Sequence, residues 1–164
     1  MKAFHGNEKI KQKYLARVTA HEAADEIIQG KYWEHGKGCA VGCTLENSYE
    51  KLGHQGYEIE LGIPEWLARL QDKIFEGLSE NEATTFPRKF LEAIKTGSDL
   101  ALIKSKFLAF LMTENIERVE KLNISAELKK QVLNALGLSL ELHTSTASAR
   151  SAARSEAAAA ASAA

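Results

Sequence analysis

The sequence predicts an all-α fold: a compact multi-helix bundle of about six or seven helices with an Ala/Ser-rich, helical C-terminal tail. Three observations carry this. Apolar residues recur at spacings of three and four, the period of a helix with one buried face. Capping residues, glycines and two prolines punctuate the chain at helix-like intervals. Sustained alternation of the strand type is missing; YEIELGI is the nearest stretch, and it is short. With 164 residues and 45% hydrophobic content, the chain fits one domain with a real core.

In chain order, Asn7 is a cap for a helix predicted to run to Ile28, with Gly30 beyond its end. Ile10, Tyr14, Val18, His21, Ala24 and Ile28 share its inner face. Pro64 and Pro87 each suit the first position of a helix. The helix from Pro64 carries Leu67, Leu70 and Ile74 and ends near Gly77. Ser79 and Glu82 have capping-box spacing, predicting a short turn of helix before Phe86. From Pro87, Phe90, Leu91 and Ile94 lead to Gly97, after which Asp99 caps a helix over Leu100–Met112. That helix is apolar nearly all round, which predicts a central place in the bundle. Thr113 or Asn115 starts a further turn, and Ser125 caps a last helix closed by Gly137. The domain is thus predicted over 1–143, with a low-complexity tail over 144–164 whose Ala content favours helix but offers no large side chain to bury.

Twenty-one basic residues against 22 acidic give a formal charge of −1, with no long run of either sign. A nucleic-acid surface needs clustered Lys and Arg, so none is expected, nor is a polybasic membrane patch. The stretch MKAFHGNEKIKQK lacks the apolar run of a secretory signal. Leu100–Met112 is broken by Lys104 and Lys106 and falls short of the ~18 apolar residues of a span. The expectation is a soluble, cytoplasmic protein whose two cysteines are thiols.

Chemistry concentrates in GKGCAVGCTL, which holds Cys39 and Cys43, with His35 before it and His54 after. On a helix, residues four apart lie ~5–6 Å apart at Cβ, too far for an unstrained disulfide but suited to two thiols or two ligands of one ion. Cys39, Cys43 and His54, with His35, supply the donor types zinc takes. A continuous helix would hold His35 and Cys43 ~12 Å apart, so sharing an ion requires a break at Gly36 and Gly38. The competing reading is two small buried hydrophobes that let a neighbouring helix approach closely. His21, with Asp25 one turn on, reads either as a base oriented by a carboxylate or as a core histidine satisfied by one. The candidate pocket is therefore Cys39, Cys43, His54, His21, Asp25 and His35. No cofactor is required by the sequence; zinc is the one metal its donors suggest.

The wording GKGCAVGCTL, followed by SYEKLGHQGYEIELGIPEWLARLQDKIFEGL and PRKFLEAIKTGSDL, resembles an uncharacterised family of bacterial proteins with an Ala-rich repetitive tail. The resemblance spans most of Trp33 to Leu111 and implies no known activity. Where that pattern often has a histidine after Cys-Thr-Leu, this chain has Glu46, while His54 matches a later family histidine.

Two classes of function follow. One is a non-enzymatic helical binding or assembly module, with a homo-oligomer or protein partner engaged through helices or tail. The other is a small-molecule or metal-dependent enzyme with a Cys/His pocket around Cys39, Cys43 and His54. The absence of a complete catalytic motif favours the first.

Overall fold

The computed structural model describes the backbone of residues 1–162, and the side chains of those residues apart from 47–48 and 146–162. The chain is 72% helical with one two-stranded sheet, an all-α fold. It divides into two compact units, Met1–Leu100 and Ala101–Ala164.

The first unit opens with a 3-10 turn, Ala3–Gly6, and α1, Glu8–Ala23. Asn7 caps α1 through a hydrogen bond accepted from the Lys9 N–H at 3.0 Å, and Tyr14, Val18 and His21 form its buried face. The helix stops at Ala23 rather than Ile28 because Asp25 takes a positive φ of 56° and turns the chain. A hairpin follows, β1 (Trp33–Glu34) and β2 (Lys37–Gly38), joined by His35 and Gly36 at φ 52° and 83°. Two positive φ values in a two-residue loop are the type I′ geometry that matches strand twist.

Four short helical segments come next: α2 (Ala40–Leu45), α3 (Asn47–Leu52), a 3-10 turn (Gly53–Gln55) and α4 (Gly56–Leu61). Two longer helices complete the unit, α5 (Glu65–Phe75) and α6 (Glu80–Ala93). The N-terminal segment lies against the chain after α6: Ala3 donates to the Ser98 carbonyl and Gly97 to that of Ala3, both at 2.9 Å. Asp99 bridges opposite Lys2 there and caps no helix.

Two sequence expectations shift in α5 and α6. The buried face of α5 is Ala68, Gln71, Asp72 and Phe75, whereas Ile74 of the expected stripe is 40% exposed. Pro87 lies inside α6 instead of starting a helix. The Ser79 backbone N–H and hydroxyl donate to the Glu82 carboxylate at 3.3 and 2.5 Å, so the start signal belongs to Ser79. Pro87 removes one helical N–H, and burial of Ala83, Pro87 and Leu91 on a single face offsets that loss. Lys11 ties α1 to the end of α6 by donating to the Glu92 and Ile94 carbonyls at 3.0 and 2.8 Å. The core contains Phe4, Tyr14, Val18, Tyr57, Phe75 and Leu91, none more than 2% exposed.

The second unit is a helical hairpin, α7 (Ile103–Lys121) packed along α8 (Ala126–Ser162). The helix expected at the centre of the bundle belongs here, and Ser105, at 9% exposure, is the one buried residue among the described residues of this unit. Neither Thr113 nor Asn115 interrupts α7. Gly137 does not end α8, which continues through it; one glycine costs a helix ~1 kcal/mol, a penalty that long flanking helix absorbs. No helix among the described residues is long and apolar enough to cross a membrane.

Candidate functional site

The glycine–cysteine segment is built around the backbone of Lys31 and Tyr32. A Cβ on Gly38 would lie 2.1 Å from the Tyr32 carbonyl oxygen, and one on Gly42 would lie 1.5 Å from it. Both distances are far inside contact, so only glycine fits either position. The Cys39 N–H donates to the Lys31 carbonyl at 2.7 Å, fixing the entry to α2. Gly38 is also bound from the other side: its N–H donates to the Glu26 carbonyl at 3.0 Å, and its carbonyl accepts from Ile28 at 2.9 Å.

Both cysteines are free and fully buried. Cys39 caps α2, its sulfur accepting from the Gly42 N–H at 3.5 Å. Cys43 Sγ donates to the Gly38 carbonyl at 3.2 Å. Burial, and after it the neighbouring Asp72 carboxylate, push the Cys39 thiol well above its ordinary value. Burial likewise pushes Cys43 up to about 12, with the carboxylates of Glu26 and Glu46 acting in the same direction. This is the opposite of the electropositive, accessible setting that makes a nucleophilic thiolate.

His54 is 8% exposed, and its Nε2 lies 3.4 Å from Asp72 Oδ2. Tyr32 and Tyr49 stack with ring centroids 5.1 Å apart, and each meets the His54 ring edge to face. Burial, followed by Tyr32, pushes the Tyr49 hydroxyl up to about 12. Asp72 thus stands between Cys39 and His54, and with Tyr32 it lines a cavity of about 180 Å³ shared with Gly30, Lys31 and Glu76. Behind this cluster the Tyr57 hydroxyl lies 2.7 Å from Gln71 Oε1 and 2.9 Å from Thr44 Oγ1, and Thr44 donates to the Ala40 carbonyl at 2.7 Å.

His21 belongs to a second cluster. Its Nδ1 lies 2.6 Å from Glu26 Oε2 and its Nε2 3.1 Å from Glu46 Oε1. Arg17 holds the other Glu46 oxygen at 3.1 Å and donates to the Thr44 carbonyl at 2.8 Å. The carboxylate expected beside His21 is therefore not Asp25, which is exposed where the chain turns. Both ring nitrogens are fixed by acids, and Trp33 packs edge-on at 5.4 Å, so the imidazole is held as a structural strut between α1 and α2.

Of the six residues read as one pocket, the structure brings Cys39 and His54 together through Asp72. His35 is exposed at the hairpin tip, and Cys43 points to backbone carbonyls. Among the described residues no group of three or more His, Cys, Asp and Glu side chains is placed to hold a metal ion. Asp72 is the site residue that sequence reasoning missed. Its signal was present: on a 100° wheel it falls within ~60° of Ala68 and Phe75, an acid on an otherwise buried arc. Glu46 stood out only as a departure from a family pattern, and its partners Arg17 and His21 lie a helix away.

No family model matches this chain, and neither curated proteins nor solved structures yield a match, so the comparisons attach no activity to the site.

Proposed function

We propose that this protein is a non-enzymatic assembly module whose α7–α8 hairpin pairs with the hairpin of a second copy. The observation that carries this is the leucine stripe of α8. Leu128, Leu138 and Leu142 are 49%, 61% and 63% exposed, and a 100° step places them within ~80° of one another. Leu133, Leu136 and Leu140 lie on another side of α8 and are partly buried. The helix therefore has one apolar face in use within the chain and one left to solvent. On α7, Phe110 is 57% exposed.

Exposed apolar stripes mark interaction surfaces more often than chance. Two hairpins pairing about a two-fold axis would form a four-helix arrangement in which each stripe covers its symmetry mate. A formal charge of −1 on the whole chain puts little long-range repulsion in the way of self-association. The protonated, buried thiols support the same reading by weakening the alternative of thiol-dependent catalysis.

Sedimentation of the full chain over a range of concentrations tests it. The wild type is expected to dimerise, and Leu128→Glu combined with Leu138→Glu to remain monomeric with unchanged helicity. A chain ending at His143 separates the stripe from the Ala/Ser tail. A wild type that stays monomeric at every concentration would refute the reading.

A further inference from the structure

We propose that α3 is a hinged flap that opens about Glu46 and Gly53 and gives solvent access to His54 and Cys39. The starting point is the backbone at its two ends. Glu46 has φ 50° and ψ −131°, and Gly53 has φ 54° and ψ −145°. A side chain is strained in that region, so Gly53 is at ease there and Glu46 is not. Strained residues persist only where their surroundings hold them, and they concentrate at switch regions. Glu46 is held through its carboxylate, one oxygen meeting Arg17 and the other His21, both at 3.1 Å. Its backbone joins the two helices: the N–H donates to the Gly42 carbonyl at 2.7 Å, and the carbonyl accepts from Tyr49 at 2.9 Å.

The flap is lightly attached. All six residues of α2, on the other side of the Glu46 hinge, are buried. None of the described side chains of α3, Tyr49 to Leu52, is buried. Its anchor is the Tyr49 ring, stacked on Tyr32 at 5.1 Å and edge to face with His54 at 5.8 Å. Tyr32 is itself 50% exposed, so this stack sits at the surface. A segment with so little buried area opens at lower cost than the fold as a whole.

Tyr49 covers groups that the closed fold hides. His54 is 8% and Cys39 0% exposed, and Cys39 and Asp72 are near enough to help raise the Tyr49 hydroxyl. Cys43 faces elsewhere, toward the Gly38 and Glu26 carbonyls. Opening of α3 therefore uncovers Cys39 and leaves Cys43 covered. The device lies within the first unit and does not depend on self-association.

Labelling of the full-length protein with N-ethylmaleimide at neutral pH, read at each cysteine by peptide mass spectrometry, tests the proposal. Cys39 is expected to react at least about tenfold faster than Cys43, at a rate nearly independent of urea well below the unfolding transition. Glu46→Ala, which keeps the strain and removes both ties, should speed Cys39 about tenfold, and Glu46→Gly, which relieves the strain, should react about threefold slower than Glu46→Ala. Without strain the order would reverse, because glycine ordinarily loosens a chain. Should the Glu46 variants fail to fold, Tyr49→Ala, on the exposed segment, is expected to speed Cys39 and not Cys43. Equal rates with equal urea dependence at the two cysteines, faster labelling in Glu46→Gly than in Glu46→Ala, or no acceleration by Tyr49→Ala would each overturn it.

Discussion

The two units of this chain use apolar residues in opposite ways. In Met1–Leu100, short helices and a two-residue hairpin bury aromatic and aliphatic side chains to 2% exposure or less. In the Ala101–Ala164 hairpin the residues are as apolar, yet no large apolar side chain among the described residues is fully buried. The difference is geometric. A helix pair covers one face of each helix, whereas a cluster of short elements meeting at several angles encloses its core. Length of regular structure and completeness of burial therefore run in opposite directions here.

Glycine gives the largest contrast between the units. Gly42→Ala would drive a methyl group into the Tyr32 carbonyl and should cost ~4 kcal/mol or more, or abolish folding of the first unit. Gly137→Ala, in mid-helix with nothing within 4 Å of the added carbon, should stabilise α8 by ~0.5–1 kcal/mol. Urea titrations read by circular dichroism check both signs. Leucine comes next: Leu91→Ala should cost ~2–5 kcal/mol, and Leu138→Ala should stay within ~0.5 kcal/mol for the monomer. Equal costs would erase the distinction between the units. A smaller effect is expected for Tyr57→Phe, which removes the hydroxyl joining Gln71 and Thr44 and should cost ~1–2 kcal/mol.

The last contrast concerns pH and is silent at neutrality. Cys43 binds its proton more tightly in the folded state, its pKa raised from 9.0 to about 12, and Cys39 shifts in the same direction. Their contribution to stability is thus complete below pH 9 and falls as pH rises toward the folded values. Unfolding midpoints measured from neutral to alkaline pH should be flat for these groups and then decline, with a shallower decline in Cys43→Ala. Thiol labelling of the native protein should be slow near neutrality; rapid labelling there would show that the thiols are neither buried nor held protonated.

How far the sequence could be read follows from the range of each interaction. The Asn7 cap, the Ser79–Glu82 box and the Tyr14, Val18 and His21 part of the inner face of α1 are local and are found where spacing placed them, whereas Ala24 is exposed and Ile28 lies beyond the helix end. Pro87 misled because a proline tolerated inside a helix looks the same in sequence as one that begins it. His21 was given the wrong acid because a helix end cannot be fixed to the residue from periodicity, and the turn at Asp25 delivers Glu26 instead. The close approach beside Cys39 and Cys43 is legible as room for a neighbouring helix, but what approaches is the backbone of Tyr32, and Gly38, expected only as a break in the chain, is required by the same carbonyl as Gly42. Asp72 joins Cys39 and His54 across separate elements, a relation no single window contains.

The central claim is that the first unit is completed by its own core and the second by another copy of the chain. Amide hydrogen exchange of the full-length protein at low and high concentration tests this most directly. The account predicts that protection in α1, α2 and α5 is independent of concentration, while protection in α7 and the described part of α8 rises with it. Concentration-independent protection of α7 and α8, equal to that of the first unit's core, would contradict it.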